Sequence, residues 1–380
     1  MKKVKYRFYP NTSSTAINKV KLIDKALDFV LGRRLKHAPT RPISQITIVQ
    51  FAHIGDLFLM LPAIKTLKSI SNYQVHLVVS SQNFAIASQL DFIDQVSIAD
   101  APYFARGKKI SYWHFIKQLR QVSADLIFDV RGDLRNNIFI KLFTNHQLFA
   151  GYDVGGGGAL LNVALPYEHE AHITGLINPL FDYLKLPLPD HSQFWSADLM
   201  PYKAVNSEVF PANFIIVHLG AGAQARRWPL SNFIKTIRDI SAVIPVYVLG
   251  TVQDVSDEEH TVIKNIPNVV SCIGRYSLLE SIYVVKQCSL FLGLDSGFTH
   301  IAALLKKKVI VLFSGTVNSQ VWKPFSFYQG QVSLVKKTVS CDWNTGCGKL
   351  QCADNICMKQ IKPLEVVGLL HKTLAMQESD

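Results

Sequence analysis

SLFLGLDSGFTHIAALLKKKVIVLF, residues 289–313, is the stretch whose reading decides the fold. Ser289 to Leu294 predicts a short apolar strand, and Lys308 to Phe313 a second one rich in β-branched residues. Asp295-Ser296-Gly297 is a turn, and Thr299 to Leu305 leaves room for about two helical turns between the strands. That order is a βαβ unit, with its loop and helix N-terminus at the carboxyl end of the first strand. Unpaired N–H groups and the positive end of the helix dipole suit a phosphate there. Gly297 permits close backbone approach, Asp295 can accept from sugar hydroxyls, and His300 sits in the first helical turn. These residues read as half of a nucleotide-sugar site, although an ordinary capped strand–turn–helix would leave the same trace.

The alternation continues on both sides. Strands are predicted at Ile46–Phe51, Val75–Ser80, Gln95–Ile98 and Asp125–Asp129, and again at Phe214–Leu219, Val246–Leu249 and Val269–Ile273. Helical patterns lie between them, including Leu57–Ser69 and Leu230–Ser241, so parallel sheets with covered faces are expected. Four prolines (Pro187, Pro189, Pro201 and Pro211) in a stretch of little periodicity mark an interdomain linker. The expected domains are a basic extension over 1–42, a Rossmann-like domain over 43–200 and a second, carrying the nucleotide-sugar half-site, over 201–362. A C-terminal helix at 363–380 carries Leu364, Val367, Leu370 and Leu374 on one face. Two doubly wound halves predict a ligand in the cleft between them.

With 48% hydrophobic and 18% charged residues, the 380-residue chain is that of a folded protein, too long for one ordinary core. It has no run of the roughly 18 apolar residues that a membrane span needs. MKKVKYRFYPNTSS lacks an apolar core and a cleavage site, which argues against export. Residues 1–42 hold eleven Lys/Arg and two Asp, so +9 of the net +12 lies there. The rest is nearly neutral, which argues against a broad nucleic-acid-binding face. Within that extension, residues 16–31 place Val20, Ile23, Leu27 and Val30 on one helical face, with Lys19, Lys21 and Lys25 mostly away from it and Gly32-Arg33-Arg34 following. Such a helix either lies on an anionic membrane surface or packs on the body of the protein.

Four places can carry chemistry. Asp56 follows Gly55 at the end of a buried strand; its carboxylate can take a proton from an incoming hydroxyl, or simply complement the helix dipole. His218-Leu219-Gly220-Ala221-Gly222-Ala223-Gln224-Ala225-Arg226-Arg227-Trp228-Pro229 gives backbone access from Gly220 to Ala223, and two arginines that either take phosphate oxygens or stand as solvated surface charges. His218 itself reads as a core histidine. Asp254, after Gly250 at a third strand end, can hold ribose hydroxyls. Cys341, Cys347, Cys352 and Cys357, with gaps of five, four and four residues, carry a weak metal signal beside the tighter pairs of a zinc knuckle. They read as structural thiols in a compact loop or as a metal clip, with Cys272 and Cys288 as buried thiols in a reducing cytoplasm. Gly155–Gly158 is flexible backbone without the strand–GxGxxG–helix setting of a dinucleotide site.

Three of these stretches together resemble glycosyltransferase family 9, the heptosyltransferases of lipopolysaccharide core assembly. IVQFAHIGDLFLMLPAIKTLK is similar to the family's N-terminal signature, IIVHLGAGAQARRWPLSNF to its donor loop, and LFLGLDSGFTHIAALLKKKVIVLFSGTVNSQVW to its D-[ST]-G-x-x-H segment. The closing CMKQI also recurs in the family. His53 stands where a small Ser is common and Leu219 where Pro is common. The resemblance implies an α/β GT-B fold, two Rossmann-like doubly wound domains facing a central cleft, and inverting transfer from ADP-heptose to a lipid A–core acceptor. It implies no essential metal and no other cofactor. Asp56 would be the general base, with Gly55 and His53 on the acceptor side. Arg226 would replace a donor-phosphate Lys beside Arg227, Gly220 and Ala221, and Asp254 would lie near the ribose. Asp295 would contact the donor sugar, with Ser296, Gly297 and His300 around the diphosphate. The expected enzyme is cytoplasmic and peripheral to the inner membrane, with no nucleic-acid partner. The alternatives are a family member using another nucleotide sugar, or a different glycan or a protein acceptor; a non-catalytic nucleotide-sugar binder; and a NAD-dependent oxidoreductase, against which the missing GxGxxG counts.

Overall fold

The computed structural model describes residue 6 and residues 13–31, 39–104, 109–168, 171–188, 190–205, 208–341, 347–348 and 350–376. The Gly32-Arg33-Arg34 segment, Pro189 and residues 1–5 and 7–12 of the basic extension lie outside the described residues. The chain divides into two compact units, Met1–Trp195 and Ser196–Asp380.

Unit 1 is built on six parallel strands: β1 (Gln45–Gln50), β2 (Gln74–Val79), β3 (Gln95–Ile98), β4 (Ser123–Asp129), β5 (Asn145–Gly151) and β6 (Val163–Ala164). Their order is β3-β2-β1-β4-β5-β6. β1 and β4 pair directly, Ile46 opposite Leu126, although one is first and the other fourth in sequence. This is the doubly wound order, and the β1/β4 boundary is its topological switch point. Ile46, Ile48 and Val49 are buried because the sheet is covered on both faces, which is why the strand reads as a continuous apolar run. A buried polar bridge ties three strands together. Thr47 Oγ1 meets His76 Nδ1 at 3.1 Å, and His76 Nε2 meets Ser97 Oγ at 2.9 Å.

A long helix, α1 (Ser14–Leu31), precedes this sheet, and α2 (Ile54–Ile70) follows β1. The predicted face of α1 is only partly the docked one: Val20 and Leu27 are partly buried, whereas Ile23 and Val30 are exposed. The fully buried residue is Asp24, which accepts from the Gly157 N–H at 2.6 Å and the Tyr6 hydroxyl at 2.7 Å. Gly156 and Gly157 have φ of +93° and +81°, and a Cβ on Gly156 would lie 3.2 Å from Val20 Cγ1. The glycine run is therefore the seat of α1. A carboxylate buried there is tolerable because both donors point at it.

Unit 2 repeats the plan with β7 (Ile215–His218), β8 (Val246–Leu249), β9 (Val269–Ser271), β10 (Leu290–Leu294), β11 (Lys308–Phe313) and β12 (Val332–Lys336). The order β12-β11-β10-β7-β8-β9 puts its switch point between β7 and β10. α3 (Leu230–Ser241) buries Phe233, Ile237 and Ile240, spaced for one helical face, each worth about 1.5–3 kcal/mol on leaving water. α4 (Gly297–Leu304) links β10 to β11. α5 (Pro363–Ala375) joins the same core through Val366 and Leu370, while Leu364, expected on that face, is 79% exposed. Among the described residues no helix is long and apolar enough to cross a membrane.

Burial pushes the His76 imidazole down from its ordinary 6.5 to about 4. The unfolded chain therefore binds a proton that the folded one refuses. Stability should be constant above about pH 6.5 and fall towards pH 4, by on the order of 3 kcal/mol for this group. Urea midpoints across that range should fall less steeply for His76→Gln; an identical slope would clear His76 of the effect.

Candidate functional site

At the switch point of unit 1, β1 ends and α2 begins within six residues. The His53 N–H donates to Asp56 Oδ2 at 3.2 Å, so Asp56 caps its own helix as well as facing the strand end. Gly55 lies in the same turn. The same Oδ2 is 3.2 Å from an Arg131 guanidinium nitrogen, and both side chains are mostly buried. Arg131 comes from the turn after β4 and lies over the Phe104 ring, 4.8 Å from its centroid. That turn is folded by Asp129, fully buried, which accepts from the Gly132 N–H at 2.9 Å and from Asn136 at 2.8 Å. Burial pushes the Asp129 carboxyl up to about 6, while those donors pull the other way. Gly132 has φ +64°, and a Cβ there would come within 2.7 Å of Tyr152 Cβ, so no other residue fits. Arg135 pairs with Asp133 through both carboxylate oxygens and covers Tyr103 at 4.3 Å. Beyond the carboxyl ends of β1 and β2 a pocket is lined by His53, Ser80, Ser81, Gln82, Asp100 and Phe104. Sequence reasoning missed Arg131. The signal was DVRGDLR directly after a strand that pairs with β1.

In unit 2 the predicted residues fall into two groups. The first joins the loop after β7 to the turn after β10: Arg226 lies 3.1 Å from Asp295 Oδ2, with Asp295 4% exposed. Ser296 precedes α4, Gly297 opens it, and His300 is buried in its first turn. The Thr299 hydroxyl donates to the Leu294 carbonyl and meets Ser296 Oγ at 3.3 Å, which fixes the strand-to-helix turn. The second group joins the same loop to the end of β8. Arg227 donates to Asp254 Oδ1 at 3.2 Å, and Asp254 Oδ2 accepts from Thr251 N–H and Oγ1 at 2.8 and 2.9 Å. A Cβ on Gly220 would stand 3.0 Å from Asp254 Oδ2, so the glycine allows that carboxylate to close in. Ala221 packs its methyl on the core. His218 is buried against Phe298, 4.8 Å between ring centroids, and burial pushes it down to about 4, so it is neutral.

The C-terminal segment braces this loop from behind. Ala225 N–H donates to the Leu350 carbonyl at 3.1 Å, Asn355 Nδ2 to the Arg227 carbonyl at 2.6 Å, and Trp228 Nε1 to the Ile361 carbonyl at 3.1 Å. The cysteines lie in and beside that brace. Cys357 is buried, and burial, with the nearby Cys347 and Cys341, pushes its thiol up. Among the described residues no three or more His, Cys, Asp or Glu gather as a metal cluster.

Several solved structures share this fold. The family 9 glycosyltransferase of Veillonella parvula superposes with a TM-score of 0.69 at 13% identity, covering 90% of this chain and 100% of that one. Escherichia coli heptosyltransferase WaaC with ADP gives 0.64 at 14% identity, covering 87% and 99%. Escherichia coli ADP-heptose lps heptosyltransferase II gives 0.62 at 16% identity, covering 88% and 99%. A comparison with curated proteins gave no significant match. Two doubly wound units of this kind make up the GT-B fold. Residues 112–348 match glycosyltransferase family 9 (heptosyltransferase), and the chain belongs to that family.

The Arg226–Asp295 contact is a largely buried pair, so removing one partner strands the other charge. Arg226→Met and Asp295→Asn should each destabilise the fold by about 2–4 kcal/mol, and the double variant by less than their sum. Additive losses in urea unfolding would show that the two charges do not support one another.

Proposed function

We propose that this chain transfers a heptose from ADP-heptose, with inversion, to a sugar of a lipopolysaccharide or lipooligosaccharide core. The observation that carries the reading is the gathering of Arg226, Asp295 and the α4 N-terminus at the unit 2 switch point. Such a crevice suits a sugar diphosphate. Family membership and the ADP and ADP-2-deoxy-2-fluoro heptose complexes of WaaC support adenine and heptose as the donor parts.

In this mechanism the acceptor hydroxyl reaches Asp56 through the pocket walled by His53 and Phe104. Asp56 takes the hydroxyl proton while the oxygen attacks the anomeric carbon from the face opposite the diphosphate. The bond from that carbon to the diphosphate oxygen breaks, and its electron pair leaves with ADP. Arg226, the amides of residues 220–223 and the α4 N-terminus meet the charge that develops there, so a divalent cation is not required. Asp254 and Thr251 serve the ribose end, and Asp295 orients the donor sugar. Arg131 holds the Asp56 carboxylate in place until the acceptor arrives. A lipid-linked acceptor sets the reaction at the cytoplasmic face of the inner membrane, where the nucleotide donor is available.

Asp56→Asn should keep ADP binding in calorimetry and lose transfer by roughly 10²–10⁴-fold, read by mass spectrometry on truncated core acceptors. Near-normal transfer would remove Asp56 from the mechanism. In the same calorimeter ADP should bind more tightly than UDP or GDP; a preference for UDP would count against heptose.

A further inference from the structure

α1 has two working faces, and the described residues of unit 1 cover only one. Asp24, Val20 and Leu27 hold it to the glycine run. On the opposite side Leu22, Ala26 and Phe29, at i, i+4 and i+7, form one stripe. Leu22 is 70% and Phe29 93% exposed, with Ile23 and Val30 at 44% and 60% beside them. Lys19 and Lys25, both exposed, flank the stripe. Four large apolar side chains turned to solvent on one helix are an expensive arrangement unless something covers them.

We propose that this face of α1 inserts into an anionic lipid surface, with Leu22 and Phe29 in the acyl boundary and Lys19 and Lys25 at the headgroups. Charge decides between the possible occupants. Residues 1–42 hold eleven Lys/Arg against two Asp, so a second copy would bring a strongly basic segment against its like. An anionic bilayer supplies the opposite sign, and basic residues near its surface attract it. The seat matters as much as the stripe. Because Asp24 is buried against Gly157, α1 meets the bilayer as part of unit 1 and not as a loose tether. The inference stands on α1 alone and is independent of the transferase reading.

The test uses the full chain with phosphatidylcholine/phosphatidylglycerol vesicles and, separately, neutral phosphatidylcholine vesicles. The wild type should co-sediment with the anionic vesicles and far less with the neutral ones. Leu22→Ser with Phe29→Ser should lower the partition coefficient by about tenfold or more. Lys19→Gln with Lys25→Gln should lower it by about tenfold, and only on anionic vesicles. All four side chains are exposed, so circular dichroism and Tm should stay unchanged, as should transfer to a soluble acceptor. Vesicle binding that survives the Leu22/Phe29 change overturns the proposal. So does absence of binding together with a dimer in sedimentation velocity that the same change breaks, which would give the stripe to a second copy.

Discussion

A strand inside a parallel sheet stops pairing at its carboxyl end, and the amides just beyond it need other partners. Where two neighbouring strands send their chains to opposite faces, those ends open into a crevice. This constraint places the chemistry twice over. In unit 1 the β1 and β4 ends bring Asp56 and Arg131 together; in unit 2 the β7 and β10 ends bring Arg226 and Asp295 together. The amphipathic helices behind each sheet contribute the burial that makes the crevices rigid.

Arginine–carboxylate pairs are the common device at these strand ends. Asp56 with Arg131, Asp295 with Arg226, and Asp254 with Arg227 all lie at 3.1–3.2 Å. Each pair satisfies charges that the surrounding apolar residues would otherwise penalise. Each also holds a charged group in one orientation. The buried Asp129 acts in the same way behind the site, fixing the turn that carries Arg131.

The sequence was most legible where both sheet faces are covered. β1, β7, β10 and β11 are mostly apolar runs flanked by turn residues, and their bounds were read to within a residue or two. β5, β6 and β12 were not seen, because Asn145, His146 and Gln147 open the first, the second has two residues, and Ser333 and Lys336 interrupt the third. Asp56 and Asp295 were legible as candidates because each adjoins glycine or serine just after such a run, and Arg226 because it closes the glycine-containing loop that follows one. Arg131 was missed because its importance depends on β4 lying next to β1, a fact of topology and not of local pattern. The glycines at 155–158 were read as slack backbone, yet they are a fitted seat; periodicity could not show that a charged residue, Asp24, marks the docked side of α1.

The brace behind the 224–228 loop has a consequence for biosynthesis. Two of its hydrogen bonds join residues 128 and 133 positions apart, Arg227 to Asn355 and Trp228 to Ile361. A ribosome finishes all of unit 1 and most of unit 2 before those partners emerge. A nascent chain can thus have its first sheet complete while this loop is still without support, and a segment translated later sets the shape of one synthesised much earlier.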